Sequence, residues 1–217
     1  MRFPSTCAFV LGAALFAAPA IARPIAYADS TTLMTSWVPD AEFETLLLYA
    51  PEYWLSFGPT HMRVQSHDGR HERRYTTFRV NGLAKRWNLP RAQANAFGWA
   101  SLGGVSGTGL RGSQTVWNAG LQLDYETRRV YFSAQTDWYR SRDTRHRFDQ
   151  FQAGIAPYEH DVDVVATWFV AQAERSTGVL DEGTDYSLLL RLFKGTTWVE
   201  AGVGEGGKLV TYFMYTF

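Results

Sequence analysis

From residue 31 to residue 217, hydrophobic and polar side chains tend to alternate with a period of two. That is the signature of strands with two different faces, and no stretch settles into the 3.6-residue period of an amphipathic helix. Over 114–125, Trp117, Ala119, Leu121, Leu123 and Tyr125 share one face, while Asn118, Gly120, Gln122 and Asp124 share the other. Over 185–193, Tyr186, Leu188, Leu190 and Leu192 oppose Ser187, Leu189 and Arg191. The last strand sets Leu209, Thr211, Phe213, Tyr215 and Phe217 on one face. Turn residues interrupt the pattern at intervals and divide it into twelve strands, with ten as the alternative count. The twelve are expected at 31–37, 43–49, 53–66, 73–87, 93–107, 114–125, 129–139, 148–158, 164–173, 185–193, 197–203 and 208–217.

The connections alternate as well. Those at 50–52, 88–91, 126–128, 159–161 and 195–196 are short, whereas those at 67–72, 140–147 and 174–184 are long and polar. Short turns at one end, longer loops at the other, and an even strand count describe a transmembrane barrel. No later segment approaches the roughly 18 apolar residues of a membrane helix. The fold class expected is therefore all-β: a single antiparallel transmembrane β-barrel over 31–217.

The start of the chain adds an address. Met1-Arg2-Phe3, an apolar run over 8–22 and Ala20-Ile21-Ala22 before Arg23 predict a secretory signal peptide at 1–22. Residues 23–30 then form a periplasmic lead-in. Cys7, the single cysteine, lies in the leader, so the exported chain closes without a disulfide. Charge is balanced at 21 basic and 21 acidic residues, which gives no case for nucleic acid. Only Lys85, Lys194 and Lys208 of the basic residues are lysine, and arginine suits paired, partly desolvated positions better.

The aromatic pattern ending on Phe217 resembles the C-terminal signal of Gram-negative outer-membrane barrels. Arg23-Pro-Ile-Ala-Tyr27, Lys85-Arg-Trp-Asn88 with Gln93-Ala-Asn95, and Gly154-Ile-Ala-Pro-Tyr158 carry a second likeness, together with Arg191-Leu-Phe-Lys194 and Val199-Glu-Ala-Gly202. These segments resemble an uncharacterised family of small exported outer-membrane β-barrel proteins. The resemblance implies a barrel in the cell outer membrane of a Gram-negative bacterium, in contact with its lipid and lipopolysaccharide. It also implies that Phe213, Tyr215 and Phe217 present the last strand to the barrel-assembly machinery. It carries no activity.

Facing by alternation predicts a lumen lined by Arg79, Asn81, Lys85, Asp124, Asp137, Arg191 and Glu200. Mixed charges in a pore hold water and select small ions or polar solutes, so a narrow channel is the leading expectation. A structural, lipid-contacting barrel plugged by the same charges is the alternative, and a barrel enzyme acting on lipid is the third. His67 and His71 flank Asp68-Gly69 on a loop without the convergent ligands a zinc site requires, so no metal, cofactor or catalytic residue is assigned. Arg140-Ser-Arg-Asp-Thr-Arg-His-Arg147 reads as a solvated loop or as a surface for lipopolysaccharide phosphates. Finally, Gly195-Thr196 suits a two-residue type II′ hairpin, which places Arg191 opposite Glu200 as a luminal ion pair.

Overall fold

The structure is a computed structural model that describes residues 27–159, 164–178, 180 and 182–217. The expected leader at 1–22, and residues 23–26 of the lead-in expected at 23–30, lie outside the described residues.

Twelve strands run in chain order as β1 Ser30–Val38, β2 Glu42–Glu52, β3 Leu55–Gln65, β4 Glu72–Leu89, β5 Ala92–Gly107 and β6 Gln114–Thr127, followed by β7 Val130–Arg140, β8 Arg145–Ile155, β9 Ala166–Gly178, β10 Gly183–Lys194, β11 Thr197–Gly204 and β12 Leu209–Thr216. Each pairs antiparallel with its neighbours in sequence, and β12 pairs with β1 to close the barrel. At the seam Thr31 N donates to Phe217 O at 2.8 Å and Phe217 N to Thr31 O at 2.9 Å. Behind them the Thr32 and Thr216 hydroxyls meet at 2.9 Å inside the barrel. Closure leaves no sheet edge to satisfy elsewhere.

Side chains alternate between the two faces of this wall. Leu102, Leu121, Leu123, Phe169, Leu188 and Val203 point outward and stand more than half exposed. An apolar outer wall of this kind is suited to hydrocarbon rather than water. Trp37, Trp54, Trp87 and Trp117 lie near strand ends on the same surface, where an aromatic girdle belongs.

The end of the barrel at which β1 begins and β12 ends, here the terminal rim, has tight joints at 53–54, 90–91, 128–129 and 195–196. Gly195 has φ 58° and Thr196 is not in the left-handed region, as a type II′ turn requires. Opposite is the far rim, with joints at 39–41, 66–71, 108–113, 141–144, 179–182 and 205–208.

Three expectations need correction. The joint at 156–165 is the longest in the chain although it lies at the terminal rim. The loop expected at 140–147 shrinks to 141–144, because Arg140 and Arg145 pair in the β7–β8 ladder. The loop expected at 174–184 shrinks to 179–182, because β9 continues to Gly178 against β10. In both places the added strand residues are polar on both faces, so the hydrophobic period fades while the backbone ladder persists.

Candidate functional site in the lumen

Rings fill part of the interior from two sides. Near the terminal rim Tyr131, Trp168, Leu189 and Phe193 cluster with Trp198 and Met214. Near the far rim Met62, Val64, Tyr75, Val105, Val116 and Tyr139 form a second cluster. Between these two masses runs a cavity of about 440 Å³. Its wall includes Thr196 and Glu126 at the terminal rim and Val38 and Glu42 at the far rim.

Of the residues expected to line the lumen, Arg79, Asn81, Asp124, Asp137, Arg191 and Glu200 all lie on this wall. Lys85 does not. The β4–β5 register shifts between Leu83 and Lys85, leaving Ala84 as an extra residue. Lys85 then pairs with Ala96 on the outward face, and Arg86 takes the inward place opposite Asn95. A bulge reverses numbering parity beyond it, so alternation counted through residue 84 misplaces this side chain.

Arg191 is the most enclosed of these charges. Its register partner is Glu200, and Arg191 Nε donates to Glu200 Oε1 at 2.7 Å. The guanidinium lies between the rings of Tyr131 and Trp198, at 4.4 and 4.3 Å. Trp198 Nε1 donates to the same carboxylate oxygen, and Arg191 donates to Gln152 Oε1 at 2.8 Å. A buried charge held by a counter-ion, an amide and two ring faces is fixed in place.

The second knot surrounds Asp137. One carboxylate oxygen accepts from Trp99 Nε1 at 2.6 Å and Asn118 Nδ2 at 2.9 Å, and the other accepts from Gln135 at 3.0 Å. Arg79 stacks over the Trp99 ring at 4.2 Å. Trp99 reaches this position because its cross-strand neighbour is Gly120: a Cβ there would stand 2.2 Å from the indole. Nearer the terminal rim, Asp124 accepts from Asn95 at 2.7 Å.

Sequence reasoning missed several residues of the wall. Glu42 and Glu44 on β2 line the cavity together with Glu174 on β9 and Asp137 on β7. Phe43 between the two glutamates points outward, so the period-two signal was present, but too short to orient the strand. A ladder of three amides ending on a carboxylate crosses β6 to β9 as Gln122, Gln135, Gln150 and Glu174, each directly paired with the next. Gln150 donates to Glu174 at 3.3 Å, and Gln152 to Gln172 at 2.7 Å. Such a wall offers both donors and acceptors to a polar solute.

No family model and no curated protein matches this chain. Among solved structures it is similar to the KdgM porin, with a TM-score of 0.51, 10% identity, and coverage of 87% of this chain and 98% of that one. The KdgM porin in complex with disordered oligogalacturonate gives a TM-score of 0.50 at 9% identity over the same shares. CdiB from Acinetobacter baumannii overlaps at a TM-score of 0.29 and 9% identity, over 87% of this chain and 59% of that one. The likeness to the porin is one of fold.

Proposed function

We propose that this chain is an outer-membrane barrel whose lumen is a narrow channel for ions or small polar solutes. The observation that carries the proposal is the continuity of the lining from Thr196 and Glu126 at one rim to Val38 and Glu42 at the other. The start of β1 and the end of β12 then face the periplasm and the far rim faces outward, in keeping with short periplasmic turns. Phe213, Tyr215 and Phe217 point outward from the closing strand, as a strand offered to the assembly machinery requires.

The oligogalacturonate named with one neighbour is a chain of carboxylated sugars, and it is not carried over. The wall here holds seven carboxylates, on Glu42, Glu44, Asp124, Glu126, Asp137, Glu174 and Glu200, against the guanidinium groups of Arg79 and Arg191.

A plugged barrel is the second reading, favoured by the burial of Arg191 between Tyr131 and Trp198. Planar-bilayer recording separates the two. Discrete ohmic steps support the channel, while a correctly inserted barrel that stays silent at every voltage supports the plug.

A further inference from the structure

Two hairpins of this barrel set arginines directly opposite one another on the outer wall at the far rim. On β3–β4 the pair is Arg63 and Arg74; on β7–β8 it is Arg140 and Arg145. Like charges at directly opposed positions repel, because their Cβ atoms stand only about 5 Å apart.

The first pair contains its own remedy. Glu72 lies on the same face and bridges both guanidinium groups, with Arg63 Nε to Oε2 at 2.6 Å and Arg74 Nε to Oε1 at 2.5 Å. Gln65 adds an acceptor for Arg63 at 3.1 Å. One anion with two oxygens thus joins two opposed arginines.

The second pair repeats the arrangement without the anion. Arg140 and Arg145 are exposed and have no carboxylate partner among the described residues. The acids close by in sequence are engaged elsewhere: Asp143 with Gln114 and Arg142, Asp149 with Arg147. The stretch therefore carries four arginines against two aspartates, and the two left over face each other.

Their depth indicates what would sit between them. Arg140 pairs across β6–β7 with Trp117, whose indole is exposed on the outer wall. Trp138 follows on the same face, beneath Arg147 at 5.7 Å. Tryptophans mark the boundary between hydrocarbon and headgroups, so the arginine pair stands at headgroup level. A solvated loop would have no reason to align its charges with that boundary.

We infer that Arg140 and Arg145 form a binding site for a phosphate ester on a lipid headgroup of the leaflet at the far rim, the phosphate taking the place that Glu72 fills between Arg63 and Arg74. Two guanidinium groups around one phosphate make charge-assisted, bidentate contacts of the strong kind. The inference rests on the membrane reading proposed above.

Protein refolded in detergent and titrated with bisphosphorylated lipid A, with binding read by native mass spectrometry, tests it. The wild type binds this lipid at least about tenfold more tightly than its enzymatically dephosphorylated form, as expected for charge-assisted bonds to one phosphate. The double variant R140Q/R145Q loses that preference, R63Q/R74Q keeps it, and R140K/R145K retains part of it. Equal affinity of the wild type for both lipids overturns the inference, as does an R140Q/R145Q barrel that still discriminates. Inorganic phosphate that competes as well as the lipid at equal concentration overturns the assignment to a headgroup. Heat-modifiable gel mobility establishes that each variant has folded. A wild type that fails to insert into vesicles defeats the membrane reading and this inference together, whereas an inserted barrel indifferent to phosphate defeats this inference alone.

Discussion

Arg191 and Glu200 face each other across β10 and β11 inside the barrel, Nε to Oε1 at 2.7 Å, with 4% and 6% of their side chains exposed. The two are nine residues apart in sequence, each separated from the Gly195-Thr196 turn by three intervening residues. Because the turn sets the register, the pair brings a cation and an anion together at the second inward-facing pair after the chain reverses, beyond Phe193 and Trp198. A slip of one residue between the two strands would set the two charges on opposite faces of the wall.

Removing one member of this pair is therefore expected to cost far more than removing both. Glu200→Ala leaves the guanidinium buried without its counter-ion, a loss of about 3–5 kcal/mol. R191M/E200M, which replaces both groups by apolar ones, is expected to lose less than Glu200→Ala alone. Urea titration of the vesicle-inserted barrel, followed by tryptophan fluorescence, measures the difference. Additive losses would show that the two groups act independently.

The Trp99–Gly120 contact gives a second expectation. Any side chain at 120 must displace the indole, which stands 2.2 Å from where a Cβ would be. Gly120→Ala should cost about 1–3 kcal/mol by overpacking. It should also break the Trp99–Asp137 hydrogen bond, which a changed near-UV circular dichroism band would report. An unaltered band together with unchanged stability would contradict the packing described.

Much of this architecture was legible in the sequence, and the failures share a cause. The strand count, the closing strand and the Arg191–Glu200 register follow from alternation and from one turn whose geometry glycine specifies. The inward places of Arg79, Asn81, Asp124 and Asp137 follow from parity alone. Lys85 was misplaced because a bulge in the backbone leaves no mark on hydrophobicity. Glu42 and Glu44 were missed because the single outward Phe43 between them is too short a signal to orient β2. Glu174 was missed because the apolar face of β9 has run out there, near the far rim, so the sequence does not distinguish an inward carboxylate from a solvated one.

Those acids bear on selectivity. With Glu42, Glu44 and Glu174 all on the wall of one cavity, a potassium chloride gradient should give a reversal potential on the cation-selective side. Neutralising the β2 pair as E42Q/E44Q should lower the preference for potassium over chloride about fivefold, the effect of about 1 kcal/mol of Coulomb energy. Lys85→Gln, on the outer wall, should leave it unchanged. Anion selectivity in the wild type would refute the expectation.

The seam offers a kinetic measurement. Phe217 contributes both backbone bonds to Thr31, and its ring stacks on Tyr215 at 5.8 Å. Deleting Phe217 should slow closure more than it destabilises the finished barrel, since Thr211 to Thr216 of β12 still pair with β1. The fraction of heat-modifiable protein over time after dilution into vesicles reports this. A deletion variant that folds at the wild-type rate would place closure elsewhere.

The extra residue in β4 also bears on how this wall tolerates changes of length. In most strands of a closed barrel, losing one residue would exchange inside for outside along everything beyond it, setting charges in lipid and leucines in the lumen. At Ala84 the surplus is already absorbed, since Leu83 stays opposite Phe97 and Lys85 opposite Ala96 whether or not residue 84 is present. That one position can be removed while every neighbour keeps its side of the wall, which makes it a place where β4 can gain or lose a residue without rewriting the strand.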